Sequence, residues 1–311
     1  MRRPGEGIAV DYVGHFQREA AAFEAAVRQA AGAETAPAVP SCPGWVVTDL
    51  ILHLGMVHRL VSRLIGERIQ EPSAMGGDPS WLSLTKEWSG WLPPDRAPEG
   101  SPVPAGLLDW FGAGAAGPEE QFRGAEPGDQ VWTWSPDHSV GFWQRMQAIE
   151  AAVHRWDAEN AVGTAQPLDA VLAADAVAQT FEVMAPWRRA VAKAPPGQGE
   201  RFLLRRTDGP QTWAVQFEGD TVQLGAPDDQ HDIQISGTSG TGPSRVPATM
   251  SCRLDTSWAM RTRVTCGGLE KGPSWTMPGT FSGRPPPSRP RRGRRQAPRP
   301  PRGSRRARDG R

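Results

Sequence analysis

Two amphipathic stretches, Asp49–Arg59 (DLILHLGMVHR) and Ile149–Asp157 (IEAAVHRWD), decide the fold of this chain and hold its most informative side chains. Both stretches predict α-helices, because their apolar residues recur at intervals of three and four. Glu150 and His154 are four residues apart, so a helix projects both side chains from one face. His53 lies on the apolar side of the other stretch, and we expect a facing helix to bring it to the same place.

His53, Glu150 and His154 have the donor types of a divalent metal site. Two imidazoles and one carboxylate leave a fourth coordination position open for water or substrate, which is typical of catalytic zinc. There is an ordinary alternative, because Glu and His at this spacing also form solvated pairs and a lone His on an apolar face is often a core residue. The metal interpretation is favoured because an unpartnered buried carboxylate is costly, so Glu150 needs a cation or a hydrogen-bonding network.

A third imidazole, His58, lies five residues after His53, about 140° further round the helix. Two side chains so far apart are poorly placed to bind one ion. We therefore expect His58 at the surface or in a supporting position beside the site.

Charge is unevenly distributed along the 311 residues, although the formal net charge is only +1. Residues 283–311 hold twelve arginines and one acid, Asp309, for a net charge of +11, which leaves −10 for the rest. Such a basic tail can bind nucleic acid non-specifically. The acidic body argues against a specific nucleic-acid-binding fold.

Cysteine usage and hydropathy indicate a cytoplasmic protein. The three cysteines contain no C-x-x-C pair, so they predict neither a disulfide framework nor a thiolate zinc site. No apolar run follows the first residues, and none reaches the length of about 18 that a membrane span needs. We expect no signal peptide and no membrane partner.

The hydrophobic period changes from helical to strand-like along the chain. We predict helices over residues 8–31, 49–68, 104–124, 139–163 and 168–193. A long connection covers residues 69–103, and such a connection usually has a function or some structure of its own. Alternating patterns predict short strands over residues 201–207, 212–217, 221–224 and 232–236.

This order of elements predicts an α+β protein. A four-helix bundle is expected over residues 8–165, followed by a connecting helix and a small sheet over 166–240. Residues 241–311 are rich in Arg, Pro and Gly and cannot bury a core. Within the bundle, Thr48 or Asp49 can cap the second helix, and Ser139 can start the fourth. We expect the third helix to be interrupted by its glycines.

Four motifs resemble a known family: Val39–Trp45 (VPSCPGW), Asp49–Gly55 (DLILHLG), Trp134–His138 (WSPDH) and Glu150–Glu159 (EAAVHRWDAE). They resemble the mycothiol-dependent maleylpyruvate isomerase family, whose N-terminal half is a DinB-like metal-binding helical bundle. The resemblance extends over roughly residues 9–240. It implies a DinB-like bundle followed by a small α/β C-terminal domain.

The resemblance also implies a ligand set and a chemistry. The family holds a zinc-like cation with the His of DLxxHL and with the Glu and His of ExxxHRWD, which are His53, Glu150 and His154 here. Mycothiol is the thiol cosubstrate, and its thiolate adds to an activated double bond. Rotation and elimination then convert cis to trans, whereas addition without elimination is thiol S-transfer to a small electrophile. The resemblance leaves open which of these reactions occurs and on which electrophile.

Two further polar residues are candidates for supporting roles. Asp157, three residues beyond His154, can orient its imidazole, although a surface charge near a helix end is an equal alternative. His138 can lie at the mouth of the site. For the tryptophans, core packing is favoured over a role as a substrate wall.

The resemblance ends near Gly240. Family members continue with an apolar helix and a catalytic arginine, whereas neither Arg245 nor Arg253 can be assigned as that arginine here. The C-terminal domain is therefore expected to be incomplete. The tail is either a disordered basic segment or a product of translation out of frame. The frameshift is favoured because 32 arginines against three lysines indicate GC-rich DNA.

Three functions follow from these observations. The first is a metal-binding, mycothiol-dependent isomerase or S-transferase. The second is a non-catalytic or degenerate metal-binding bundle. The third, ranked last, is nucleic-acid binding through the tail.

Overall fold

The computed structural model describes most of the chain before Thr238, namely residues 10–75, 78–92, 96–227 and 230–237. Within these ranges a set of helices precedes a four-stranded sheet, so the predicted α+β class is confirmed. None of the helices in the described part of the chain has both the length and the apolar character needed to cross a membrane. The tail predicted over residues 241–311 lies outside the described residues, as do Arg245 and Arg253.

Four long helices form the bundle: α1 (Tyr12–Ala30), α2 (Val47–Gly66), α4 (Ala105–Gly124) and α5 (Val140–Ala161). The single turn α3 (Lys86–Ser89) lies in the connection between α2 and α4. α1 packs against α5 and α4, and α2 packs against the same two helices, so the order around the bundle is α1, α5, α2, α4. The four predicted bundle helices are confirmed, and α2 and α5 are neighbours.

Buried apolar side chains of the bundle form two clusters. Along α2 the change from one cluster to the other falls between Leu54 and Val57, and along α5 it falls between Val153 and Ala158. The buried polar side chains of the candidate site lie at or beside these two intervals. The polar site is therefore enclosed by hydrophobic packing on both sides.

The helices of the site begin at capped ends. At the start of α5 the Ser139 hydroxyl accepts a backbone N–H at 3.1 Å, as predicted. α2 begins after an extended Val46, so neither of the two predicted capping residues occupies the cap. Asp49 instead accepts the backbone N–H of Val46 at 2.9 Å and that of Ala97 at 3.1 Å. This carboxylate fixes the first turn of α2, one turn before His53.

The connection between α2 and α4 has structure of its own, as predicted. It contains two 3₁₀ turns, Pro72–Met75 and Pro79–Leu82, in addition to α3. Trp88 of α3 is buried in the same apolar cluster as Trp110 of α4. Core packing is therefore the role of this tryptophan.

Glycines bring α2 and α4 close together. A Cβ atom at Gly55 would overlap the ring of Trp110, and one at Gly114 would overlap the guanidinium of Arg59. That guanidinium lies 4.0 Å above the Trp110 ring centroid. α4 runs without a break from Ala105 to Gly124, so the predicted interruption by glycines was wrong. Because Gly55 and Gly114 have no side chain, α2 and α4 can pack closely at these positions.

A buried ionic cluster ties α5 to α1 and to the segment that leaves the bundle. Arg155 is 3% exposed and donates to Glu19 and Glu159, both at 2.7 Å. It also donates to the backbone carbonyls of Gln166 at 2.9 Å and Pro167 at 3.1 Å. The guanidinium thus has carboxylate and carbonyl acceptors within the protein, which offsets the cost of burying its charge.

The connecting helix consists of three parts: α6 (Ala170–Gln179), a π-helical turn (Thr180–Met184) and α7 (Ala185–Ala192). The prediction of one helix over residues 168–193 missed the π-helical turn. Phe181 of this turn packs against Phe202, Leu204 and Val215 of the sheet.

Within the described residues four strands follow, the number predicted for this part of the chain: β1 (Gly197–Arg206), β2 (Thr212–Gly219), β3 (Thr221–Gly225) and β4 (Ile233–Gly237). Their order in the sheet is β3-β2-β1-β4, with β4 parallel to β1 and the other pairs antiparallel.

The close contact between α2 and α4 at Gly55 can be tested by its effect on the free energy of unfolding. We expect Gly55→Ala to lower the free energy of unfolding by about 1–3 kcal/mol, because the new methyl group overlaps the rigid Trp110 ring. Gly124→Ala is the matched control, since nothing lies within 4 Å of its added Cβ. Alanine has the higher helix propensity, so this control should be neutral or stabilising. Urea unfolding of both variants measures the difference, and equal stability would contradict the packing argument.

Candidate metal centre

The first candidate ligand, His53, projects from α2 toward α5. It is 6% exposed, and apolar residues flank it along the helix. The Trp45 ring meets the His53 ring at an angle of 66°, with 5.5 Å between the ring centroids. Trp45 lies two residues before the first residue of α2, so the adjoining chain supplies one wall of the imidazole pocket.

Glu150 and His154 project from one face of α5, as their spacing predicts. The Oε2 atom of Glu150 lies 3.2 Å from Nε2 of His154 and 3.8 Å from Nε2 of His53. One ligating atom from each of the three residues lies within 4.8 Å of the other two. The Glu150 side chain is 22% exposed, against 8% for each imidazole. Glu150 is therefore the member of the set that solvent reaches most easily.

A second carboxylate holds His154 from its other side. The Oδ2 atom of Asp157 lies 2.9 Å from Nδ1 of His154, and Asp157 is fully buried. Ser41 donates to Oδ1 of the same carboxylate at 2.5 Å, and the Cys42 thiol lies 3.7 Å from Oδ2. Asp157 is therefore not the surface charge that was one of its two predicted alternatives. It contacts the imidazole whose orientation it was expected to fix.

The pKa values of the set shift in opposite directions. Burial by itself raises the pKa of Glu150, but the neighbouring imidazoles of His154 and His53 outweigh it and hold that pKa well below its ordinary value. Burial by itself lowers the pKa of His154, but Asp157 and Glu150 outweigh it and raise that pKa well above 6.5. For His53, burial dominates and the pKa is lowered. These directions favour an ionised Glu150 beside a protonated His154 and a neutral His53.

This arrangement fits a divalent cation. Two ligands of a tetrahedral ion with bonds of about 2.0–2.1 Å are about 3.3 Å apart, close to the 3.2 Å between Glu150 and His154 and the 3.8 Å between Glu150 and His53. When His154 is protonated, its Nε2–H faces Oε2 of Glu150, 3.2 Å away. A cation can replace that proton while Nδ1–H stays hydrogen-bonded to Asp157, which is the usual arrangement of a ligating histidine. Three protein ligands leave further coordination positions open.

The other two histidines considered in the sequence lie outside the three-residue set. His58 is fully buried between Phe16 and Phe111, with ring-centroid distances of 5.1 and 5.5 Å. The expectation of a surface position for His58 was therefore wrong. Neither of its ring nitrogens has a hydrogen-bond partner in the described part of the protein. His138 is exposed on the loop before α5 and forms no ion pair with the three candidate ligands among the described residues.

The contacts of Ser41 and Trp45 with the site were missed by sequence reasoning. The turn containing both residues was recognised, but its contact with a residue of α5 more than a hundred positions later was not. The only sequence signal was the joint presence of the VPSCPGW and HRWD motifs. Spacing along the chain carries no information about contacts of this range.

Burial of His58 gives the protein a specific sensitivity to acid. Desolvation lowers the pKa of His58 from 6.5 to about 3. Between these values the unfolded chain binds a proton at His58 that the folded chain does not, so stability is lost as the pH falls below 6.5. We expect His58→Leu to reduce this loss by up to about 1.4 kcal/mol per pH unit between pH 6 and pH 4. Urea unfolding across this range measures the slopes, and parallel curves for the two proteins would contradict a buried neutral His58.

Comparison with known proteins identifies the helical part of the chain. Residues 16–159 match a family model described as the mycothiol maleylpyruvate isomerase N-terminal domain. No curated protein and no solved structure matches the chain. The matched range contains His53, Glu150, His154 and Asp157, together with the turn that carries Ser41. Residues 16–159 of this chain are therefore similar to the N-terminal domain of mycothiol maleylpyruvate isomerase, the family that the motifs of the sequence resemble.

Proposed function

We propose that this protein is a divalent-metal-binding, mycothiol-dependent enzyme that adds a thiol to a small electrophile. The observation that carries the proposal is the convergence of two imidazoles and one carboxylate to within 4.8 Å, inside a domain of a mycothiol-linked family. The reaction is either cis–trans isomerisation of an activated double bond or thiol S-transfer. Zinc is the cation best suited to this donor set at an open tetrahedral site. The cytoplasmic location remains a prediction from the cysteines.

Each candidate ligand has a distinct part in the proposed centre. His53 offers a neutral imidazole, because its burial disfavours protonation. Glu150 offers the negative charge and lies nearest to solvent, so the open side of the centre is expected there. His154 offers Nε2 once this nitrogen has lost its proton. Its other nitrogen, Nδ1, keeps a proton that is hydrogen-bonded to Asp157. The two carboxylates together compensate the two positive charges of a divalent ion.

A divalent cation bound at such a centre supplies the Lewis acidity that ionises a coordinated thiol near neutral pH. The protein supplies the rest of what the proposed chemistry needs. Hydrophobic clusters on both sides of the imidazoles limit the access of water, which strengthens the electrostatic interactions within the site. In the proposed isomerisation the thiolate adds to the double bond, the resulting single bond rotates, and the thiolate leaves again. In S-transfer the carbanion formed by the addition takes up a proton instead, or, at a carbon that bears a leaving group such as chloride, the thiolate forms the C–S bond and the leaving group departs as an anion.

A non-catalytic metal-binding bundle is the second candidate. It is favoured by the end of the resemblance near Gly240, before the part of the chain in which the family's catalytic arginine is expected. The resemblance implies a catalytic arginine in the C-terminal domain, and no residue of this chain can be assigned to that role. A bundle that binds metal without thiol-dependent turnover would fit this observation.

The metal content of the protein tests whether it binds a metal ion, which both candidate functions require. We expect zinc at nearly one ion per chain in the wild-type protein, and its loss from His53→Ala, Glu150→Ala and His154→Ala, because each variant removes one of three ligands. His138→Ala is the matched control, since this exposed histidine lies outside the set and should leave zinc unchanged. Elemental mass spectrometry measures the ratio, and circular dichroism verifies that each variant is folded.

A wild-type protein that stays metal-free after zinc is supplied would refute the metal centre and the enzyme with it. Retention of zinc by all three ligand variants would place the ion elsewhere.

Turnover separates the two candidates. With zinc bound, we expect isomerisation of maleylpyruvate or conjugation of monochlorobimane only when mycothiol is added. Glu150→Ala should abolish this reaction within the detection limit, because the ligand is lost, whereas His138→Ala should retain it. Absorbance or fluorescence of the product measures the rate. Full zinc occupancy without thiol-dependent turnover on either compound would favour the non-catalytic bundle.

A further inference from the structure

A compact double turn precedes α2 and approaches the candidate centre. The carbonyl of Val39 accepts the N–H of Cys42 at 3.0 Å, and the carbonyl of Cys42 accepts the N–H of Trp45 at 2.9 Å. Pro43 and Gly44 occupy the two central positions of the second turn. Gly44 has a φ of +78°, which is the backbone conformation that a type II turn requires at this place. The sequence VPSCPGW therefore specifies two consecutive turns.

The double turn is fixed to the body of the protein at several points. The N–H of Val39 donates to the carbonyl of Trp45 at 2.8 Å, which closes the segment on itself. The guanidinium of Arg96 donates to the carbonyl of Gly44. The N–H of Val47, the first residue of α2, donates to the carbonyl of Pro37 at 2.9 Å. The side chains at the junction of the two turns are thus held by a rigid backbone.

Ser41 lies in the first turn, one residue before the junction at Cys42, and its side chain reaches a carboxylate of α5. Its hydroxyl donates to Oδ1 of Asp157 at 2.5 Å, across 116 positions of the chain. Ser41 is 2% exposed and Asp157 is fully buried, so solvent does not compete for this hydrogen bond. The other carboxylate oxygen of Asp157, Oδ2, lies 2.9 Å from Nδ1 of His154. One carboxylate therefore joins the double turn to a candidate metal ligand.

The hydrogen bond from Ser41 has a geometric consequence for His154. The terminal torsion of an aspartate side chain is broad, so its own rotamer preference does not fix the plane of the carboxylate. A donor from a rigid backbone on Oδ1 fixes that plane and thereby the direction of Oδ2. The direction of Oδ2 in turn determines where the Nδ1–H bond, and hence the opposite nitrogen Nε2, points. Ser41 is thus two hydrogen bonds away from the nitrogen that faces Glu150.

We propose that Ser41 is a positioning residue of the metal centre, acting through Asp157 to orient Nε2 of His154. The double turn reaches both imidazoles of the set, His53 directly through the ring of Trp45 and His154 through Asp157. The inference rests on the metal-binding part of the proposed function, but the orientation of His154 exists in the metal-free protein as well. The two can therefore be tested apart.

The first test compares zinc affinities by competition with a chelator. Ser41→Ala should raise the zinc Kd about tenfold, the lower end of the effect seen when a hydrogen-bond partner of a metal ligand is removed. Ser139→Ala is the matched control, because it removes a part-buried hydroxyl hydrogen bond at the start of α5, and the partner in that bond is the backbone of Phe142 rather than a residue of the site. Its Kd should stay within about twofold of the wild type. Equal Kd values for Ser41→Ala and the wild type would overturn the proposal.

A double-mutant cycle tests whether Ser41 acts through Asp157. If it does, Ser41→Ala combined with Asp157→Asn should bind zinc no more weakly than Asp157→Asn alone, because the carboxylate that Ser41 orients is already gone. Additive losses would show that Ser41 affects the centre by another route and would overturn the assignment. Ser41→Thr, which keeps the hydroxyl, should bind zinc more tightly than Ser41→Ala. Equal weakening by both substitutions would also contradict the role of the hydroxyl.

The second measurement needs no metal. In the metal-free protein, the Nδ1–H proton of His154 should give a downfield NMR signal that disappears in His154→Ala. Ser41→Ala should shift this signal and speed its exchange with water, whereas Ser139→Ala should not. An unchanged signal in Ser41→Ala would overturn the positioning role. If the wild type binds no zinc but the signal responds as expected, the proposed function fails and the orientation of His154 by Ser41 stands.

Discussion

The carboxylate of Glu150, held between the imidazoles of His53 and His154, is the interaction on which this structure depends. It places a negative charge among side chains that are almost fully buried, and such a charge is stable only with charged or hydrogen-bonding partners. His154 is one turn away on the same helix, whereas His53 comes from α2. The packing of α2 beside α5 therefore fixes the distance between the three ligating atoms.

Several features outside the candidate ligands preserve this arrangement. Gly55 and Gly114 let α4 support α2 at close range, and the Arg155 cluster ties α5 to α1. Asp157 holds His154 from the side opposite Glu150, while the double turn before α2 contacts both Asp157 and His53. The centre is thus supported from both helices and from the loop between α1 and α2. Metal sites in proteins are commonly tuned by hydrogen bonds of this kind.

The helices and the core of the candidate site were predictable from sequence because their signals are local. Apolar spacing identified the bundle helices, and the four-residue interval placed Glu150 and His154 on one face. Long-range contacts were not predictable, since nothing in the spacing relates Ser41 to Asp157. Of the two alternatives for His58, the surface position was wrong, because packing between aromatic rings buries this polar side chain and its position along the helix does not show that packing. The glycines of α4 were taken as helix breaks because the sequence does not show that Arg59 of α2 packs closely against the backbone at Gly114.

The central claim is that His53, Glu150 and His154 bind one divalent cation. A crystal structure of the protein prepared with zinc, with anomalous diffraction recorded at the zinc absorption edge, tests it most directly. The account predicts one anomalous peak about 2.0–2.2 Å from Nε2 of both histidines and from a carboxylate oxygen of Glu150. A zinc-loaded crystal with no peak among these three side chains, or with its peak at another set of residues, would contradict it.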